Sequence, residues 1–384
     1  MDRYAAQNPN VTHSSRAGRA APRACSAGIV PHMAGSPPVE RRGRPGAGAD
    51  AEWPPVAAGG SARWMRPAVT LLLYALVFYW TDARALVARL GGARLEYVAA
   101  GVLLYVAGQA VSAWKWHRLL GPVGLGAVRY SRLLAFYFIG MFFNIFLPTI
   151  VGGDAVKAVL LARETRAAGR AAMSVFMERN LGLFALLSIA VVAAWRAPAV
   201  DIMGVTLVAL TLLLFVGFLA ANVVLASPGI YGLIDRVIER TRLARFRARA
   251  TPLYAAVAAY TARPGVLAGA VFLSFVFQTV VIAVVFLNAR ALDLAFPFSA
   301  FAVFVPLISL AGMIPVSVNG LGVREALYIL FFGRLGAPTD VSVSLALLYL
   351  AVTLVASLPG GVVYAVQRGS PRVAGSPAAT PPPR

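Results

Sequence analysis

Two short polar clusters interrupt long apolar runs, and they hold most of the side chains able to do chemistry. The first reads Pro148-Thr149-Ile150-Val151-Gly152-Gly153-Asp154-Ala155-Val156-Lys157. Gly152 and Gly153 permit a sharp turn, and Asp154 follows where a helix would begin. A carboxylate there caps free backbone N–H groups. Inside a membrane it is also a costly ionisable group of the kind that marks a functional site, and both readings stay open. Lys157, one turn on, is placed to neutralise Asp154 or to meet a lipid phosphate. Asn144, in the apolar run before the breakers, is assigned to the same candidate cavity.

The second cluster reads Pro315-Val316-Ser317-Val318-Asn319-Gly320-Leu321-Gly322-Val323-Arg324-Glu325. Asn319-Gly320 is a turn signal, and a helix is expected from about Gly322 through Leu330. Glu325 in its first turn suits the helix dipole. Ser317, Asn319 and Arg324 beside a free helix N-terminus suit an anion such as phosphate. A third pair, Glu178-Arg179, opens the apolar stretch 172–195 and reads as a self-compensating pair near an interface. If that helix begins earlier, Arg179 reaches the core and meets Asp154 or a headgroup.

The composition says what kind of elements must position these residues. Of 384 residues, 59% are hydrophobic and 13% charged, with mean hydropathy +0.74. Soluble domains carry about a quarter charged residues. A cytosolic enzyme, a disordered protein and a disulfide scaffold are excluded, leaving an integral membrane protein. The 35 Lys and Arg outweigh the 15 Asp and Glu, and only Lys115 and Lys157 are lysines. In a membrane protein this excess fits cytoplasmic loops facing anionic headgroups rather than nucleic acid. The amphipathic stretch 231–250 fits a helix lying on that surface. It lacks the aromatic platforms of a nucleic-acid reader. Cys25 stands alone, and His13, His32 and His117 are scattered. No disulfide, metal site or other cofactor is expected.

The fold class expected is all-α and polytopic. Six apolar stretches, near 65–82, 95–114, 172–195, 203–226, 264–288 and 342–367, approach the length of a full span. The stretches 132–162 and 296–333 differ: each is broken by Pro and Gly around a polar cluster. They read as helical hairpins that enter the membrane and return, since broken helices survive in lipid only when protein or a polar cavity covers them. With both termini cytoplasmic, Arg84, Arg89, Arg94, Arg196, Arg290, Arg324 and Arg334 fall outside and the other 28 of the 35 basic residues inside. That bias has the expected sign. Three spans separate the hairpins, so they enter from opposite faces, as in inverted-repeat transporters. The flanks, 1–63 and 368–384, are Gly/Pro/Ala-rich and read as disordered tails around a membrane domain at 64–367. Pro359-Gly360-Gly361 reads as a kink allowing close helix packing.

No Walker loop, dinucleotide fingerprint or nucleophile elbow is present. Four segments, however, resemble a known family in order: FYFIGMFFNIFLPTIVGGDAVKAVLLAR, MERNLGLFALL, IPVSVNGLGVREALYILF and LPGGVVY. They are similar to the transmembrane region of lysylphosphatidylglycerol synthases, which also occurs in stand-alone flippase-like proteins. The resemblance implies a central cavity containing Gly152, Gly153, Asp154, Gly320, Gly322 and Glu325. In full-length synthases a soluble domain transfers lysine from transfer RNA to phosphatidylglycerol, and the membrane part moves the product between leaflets. Seventeen residues follow the last span here, so translocation is expected and lysyl transfer is not. The expectation is a translocase of a lipid or lipid-linked intermediate in the inner or plasma membrane. Its partner is a membrane lipid with an anionic or lipid-linked headgroup. The candidate cavity residues are Asn144, Gly152, Gly153, Asp154, Lys157, Arg179, Ser317, Asn319, Gly320, Gly322, Arg324 and Glu325. The alternatives are a membrane-embedded enzyme or accessory subunit of glycolipid or cell-envelope lipid synthesis, with Asp154 and Glu178 as candidate acid/base pair, and a purely structural subunit.

Overall fold

The computed structural model describes residues 60–79, 81–146, 152–196, 201–202, 205–227, 257–314 and 316–369. The amphipathic stretch 231–250 and most of both expected tails lie outside these residues. The first helix already begins at Gly60, and the last runs to Gly369.

The expected first span and the basic loop after it form two helices, α1 (Gly60–Tyr79) and α2 (Ala83–Gly91), set at 88° to each other. Asp82 makes the corner. Its carboxylate accepts hydrogen bonds from the N–H groups of Arg84 and Ala85, starting a new helix in a new direction. Arg84 and Arg89, counted above on the outer side, therefore ride on a helix, and Arg89 reaches Asp340 at 3.0 Å.

Helix α3 (Leu95–Leu120) runs farther than the apolar stretch suggested, carrying Lys115 and His117 into its last turns. It lies antiparallel to α8 (Pro264–Ala291): Gly101 sits beside Asn288, Gly108 beside Val280, and Gly269 beside Arg118. Gly108 is why the pair fits, since a Cβ there would stand 2.7 Å from Val280 Cγ1.

The two hairpins are present. Helices α4 (Tyr130–Phe146) and α5 (Gly152–Thr165) run antiparallel. Arg132 faces Glu164 at their open end, Gly140 faces Lys157, and the Asn144 amide oxygen accepts from Gly153 N–H at the tip. In the second hairpin, α9 (Phe298–Gly312) is followed by a short 3-10 turn (Val318–Gly320) and α10 (Val323–Gly333). Phe301 meets Phe332 with centroids 5.2 Å apart, and Phe304 meets Phe331 at 5.0 Å. Lipid tails are as apolar as these rings, so burial alone adds little. Close packing and ring geometry hold the hairpin.

Helices α6 (Ala168–Ala194), α7 (Leu207–Ala226) and α11 (Thr339–Gly369) complete the described helices, with a two-residue ladder between Asp201–Ile202 and Val205–Thr206. Among the described residues, five helices are long and apolar enough to cross a membrane, or six if α1 and α2 form one bent span.

The order helix–hairpin–helix occurs twice: α3, α4/α5, α6, then α8, α9/α10, α11. Each hairpin packs against the closing helix of the other half, α4 on α11 and α9 on α6. Gly360 and Gly361 make the first contact possible. A Cβ on Gly360 would meet the Phe138 carbonyl, and one on Gly361 would lie 2.7 Å from the Phe142 ring. The two ends of the bundle are distinct. One end joins Arg94 to Asp293 at 2.6 Å and Arg89 to Asp340. The other joins Tyr260 to the Leu119 carbonyl at 3.0 Å and Arg170 to the Val123 carbonyl at 3.3 Å. Arg89 and Arg94, which the charge bias assigns to one membrane face, thus sit at one end of the bundle, and Arg170, assigned to the other face, at the opposite end.

Candidate functional site

The tips of both hairpins reach one cavity of about 320 Å³ in the middle of the bundle. Its walls come from α3, α4, α5, α6, α8, α9, α10 and α11, so both halves build it.

The first half supplies an ionic cluster. Lys157, on α5, lies 2.9 Å from Asp154 Oδ1 and 3.0 Å from Glu178 Oε2. Lys115, on α3, stands 3.7 Å from Glu178 Oε1, and Arg179 Nε 3.3 Å from Asp154 Oδ2. Tyr137 donates to Glu178 Oε1 at 2.9 Å and Ser112 at 3.2 Å. The Lys157 ammonium also sits 4.0 Å above the Tyr137 ring. Bare charges this deep are costly; here each carboxylate is held by two cations and Glu178 by two hydroxyls as well. Lys157 is a straight side chain for a reason: its stem runs past Gly140, where a Cβ would come within 2.8 Å of Lys157 Cγ.

The second half supplies a different wall. Gly320 and Arg324 line the cavity together with Tyr328 and Tyr349. Lys157 and Tyr328 are each the sixth residue of their hairpin helix, α5 and α10. Glu178 and Tyr349 are each the eleventh residue of the helix that follows, α6 and α11. Where one half carries an ion pair, the other carries two tyrosines.

Seven of the residues singled out from the sequence meet at the cavity: Asn144, Gly153, Asp154, Lys157, Arg179, Gly320 and Arg324. Arg324, counted above on the outer side and also among the candidate cavity residues, lies on the chamber wall. Glu325 does not line it. It is fully buried behind Arg324, accepting from the Gly322 N–H at 2.6 Å and pairing with Arg324 at 2.7 Å. Its role is that of a cap and counter-ion; Asp154 and Glu325 do not face each other across the chamber. Gly322 holds φ at +83°, a conformation that favours glycine. Gly152 and Ser317 are buried outside the lining, the Ser317 hydroxyl without a partner. Asn319 falls in the 3-10 turn.

Glu178 and Arg179 are not a self-compensating pair. Helix α6 begins at Ala168, so both residues lie well inside it and bind different partners. Glu178, Lys115, Ser112 and Tyr137, all in the lining, are among the side chains missing from the residues picked out for the cavity. One signal pointed to them: the only two lysines of the chain both converge on Glu178. Among the described residues, no group of His, Cys, Asp and Glu could hold a metal ion.

With this geometry established, the comparisons are informative. The family model described as "Lysylphosphatidylglycerol synthase TM region" matches residues 64–360. The chain belongs to this family. No curated protein and no solved structure matches it. The LPG synthase TM match together with the long apolar helices makes it an integral membrane protein, helical and polytopic.

Proposed function

We propose that this member of the LPG synthase TM family is a lipid translocase. It would carry the polar headgroup of a membrane lipid, or of a lipid-linked intermediate, through the central cavity while the tails stay in the bilayer. One observation carries the reading. Two hairpins from opposite halves end at a single polar chamber, and a chamber of that kind lowers the several kcal/mol or more that a charged headgroup would otherwise meet in hydrocarbon. In inverted-repeat transporters, sites formed by broken helices lie near the membrane midplane. The termini are cytoplasmic in this reading, as the arginine bias suggests, and the membrane is the inner or plasma membrane.

The enzyme alternative has less support. Its candidate acid and base, Asp154 and Glu178, share Lys157 as a buried counter-ion, an arrangement that holds charge in place, whereas an acid/base pair must reach the proton it moves. The test is a leaflet-resolved assay in proteoliposomes with fluorescently labelled lipids. The wild type is expected to equilibrate lipid between leaflets, and Arg179→Gln to slow it. Absence of movement in the wild type, or chemical modification of the lipid instead, would overturn the proposal.

A further inference from the structure

We infer that α1 is a side gate to the chamber. Lifting its N-terminal half off the tip of the second hairpin opens a passage past Arg324, through which a headgroup enters while its tails stay in lipid; this deepens the translocase reading and rests on it. The first observation is that α1 stands outside the two-fold order. The helix ahead of each half packs on the helix that closes the other: α2 on α11, and α7 on α6. Among the described residues, α1 has no such counterpart. The stripe Thr70, Leu73, Tyr74 and Val77, at helical spacing, faces the bundle. Leu71, Leu72 and Leu76 beside it are exposed, as lipid-facing residues are.

The second observation is how unevenly the stripe is held. At the corner end Val77 is buried with Leu86 of α2 and Val343 of α11, a fixed apolar seat. Farther from the corner the hold is slighter. Thr70 Oγ1 accepts from the Val318 N–H at 2.8 Å, and Leu73 lies over Gly322, where a Cβ would not fit. The bend of 88° at Asp82 gives α1 a pivot separate from α2.

The third observation is what the stripe covers. Helix α1 contributes nothing to the chamber lining, yet Gly320 and Arg324, from the turn and helix beneath it, do line it. One layer of residues therefore separates α1 from the chamber, and that layer is polar. The Ser317 hydroxyl is buried without a partner, and the Arg324–Glu325 pair lies close enough to Tyr74 to act on it electrostatically. Such a layer must be shielded from hydrocarbon at rest. Under a helix that lifts, the same groups would meet a headgroup on its way in.

The test locks the gate and, separately, loosens its latch, in full-length Cys25→Ser protein. Thr70→Cys with Ser317→Cys would be bridged by a short bis-methanethiosulfonate reagent that reductant removes, with bridging confirmed by mass. Lipid movement in liposomes is expected to stop on bridging and to return on reduction. A bridge between Arg89→Cys and Asp340→Cys, which ties α2 to α11 at the fixed end, is expected to leave movement unchanged. Undiminished movement with Thr70 and Ser317 bridged, or equal arrest by both bridges, overturns the gate and leaves the translocase reading standing. Thr70→Val keeps the shape and removes the acceptor, and loss of one hydrogen bond shifts an equilibrium by about threefold to tenfold. Ser317→Cys should then react faster with a small membrane-permeant thiol reagent by about that factor; unchanged reactivity also overturns the gate. This second arm needs no lipid movement. A wild type that moves no lipid removes the translocase reading, and reactivity alone then decides whether α1 lifts. It decides likewise if the Thr70–Ser317 pair does not fold or bridge.

Discussion

Replacing Lys157 with Met removes one charge and keeps most of the stem that passes Gly140. At an effective dielectric of about 20, unit charges 3 Å apart attract by about 5 kcal/mol. Lys157 makes two such contacts, at 2.9 and 3.0 Å, with its side chain 5% exposed. Desolvation cancels much of that attraction, and breaking a buried pair typically costs about 3–5 kcal/mol because a charge is stranded. Here the stranded carboxylates keep other partners: Arg179 for Asp154, and Lys115, Ser112 and Tyr137 for Glu178. The expected loss for Lys157→Met is therefore about 3 kcal/mol, at the low end of that range. Adding Glu178→Gln should recover at least about 1 kcal/mol, since residues in one network do not add. Unfolding in detergent, followed by tryptophan fluorescence, measures both; Trp116 lies 5.5 Å from the Lys157 ammonium and reports locally. A single variant within about 0.5 kcal/mol of wild type, or strict additivity in the cycle, would refute the idea that this lysine is the keystone of the chamber.

Gly153→Ala should destabilise by about 1–3 kcal/mol, because the new methyl would strike the Gly140 carbonyl across the first hairpin. Gly169→Ala, where nothing lies within 4 Å, should be neutral or gain up to about 1 kcal/mol in the same thermal assay. Glu325→Ala should cost about 1–3 kcal/mol, since it uncaps α10 and strands Arg324; a melting temperature equal to wild type would contradict the cap role. In a Cys25→Ser background, cysteines placed at Arg132 and Arg263 should react with a membrane-impermeant thiol reagent from the cytoplasmic face, and cysteines at Trp195 and Asp293 from the opposite face. All four labelling from one side would invert or break the proposed topology.

The hairpins were legible in sequence because two apolar runs, each short for a span, flank turn-forming residues: Pro148 and Gly152-Gly153 in the first, Asn319-Gly320-Leu321-Gly322 in the second. The chamber's charges were harder to read. An apolar run that ends at Trp114 looks like a span ending there, yet hydrogen bonding along α3 continues to Leu120 and takes Lys115 inside. Hydropathy marks where charge begins, whereas a buried lysine is tolerated where a carboxylate waits on another helix, information that belongs to the partner and not to the local window. The same blindness put Glu178 beside Arg179 in one pair, although neighbours on a helix point about 100° apart and seek different partners. Glu325 was misjudged for the opposite reason: its local capping partner, three residues back, already satisfied it, and no cavity was required.

The exchange of packing partners between the halves also bears on how the chain is made. The Phe138 carbonyl packs against Gly360, so more than half the polypeptide must leave the ribosome before the first hairpin gains this contact. Until then the charged tip of the first hairpin has its partners on α6 but not the contact with α11, and non-local closure of this kind is slow. Assembly of the lysine–glutamate centre can start early, but its lid arrives last, and the nascent protein has good reason to wait beside an insertase or chaperone while translation finishes.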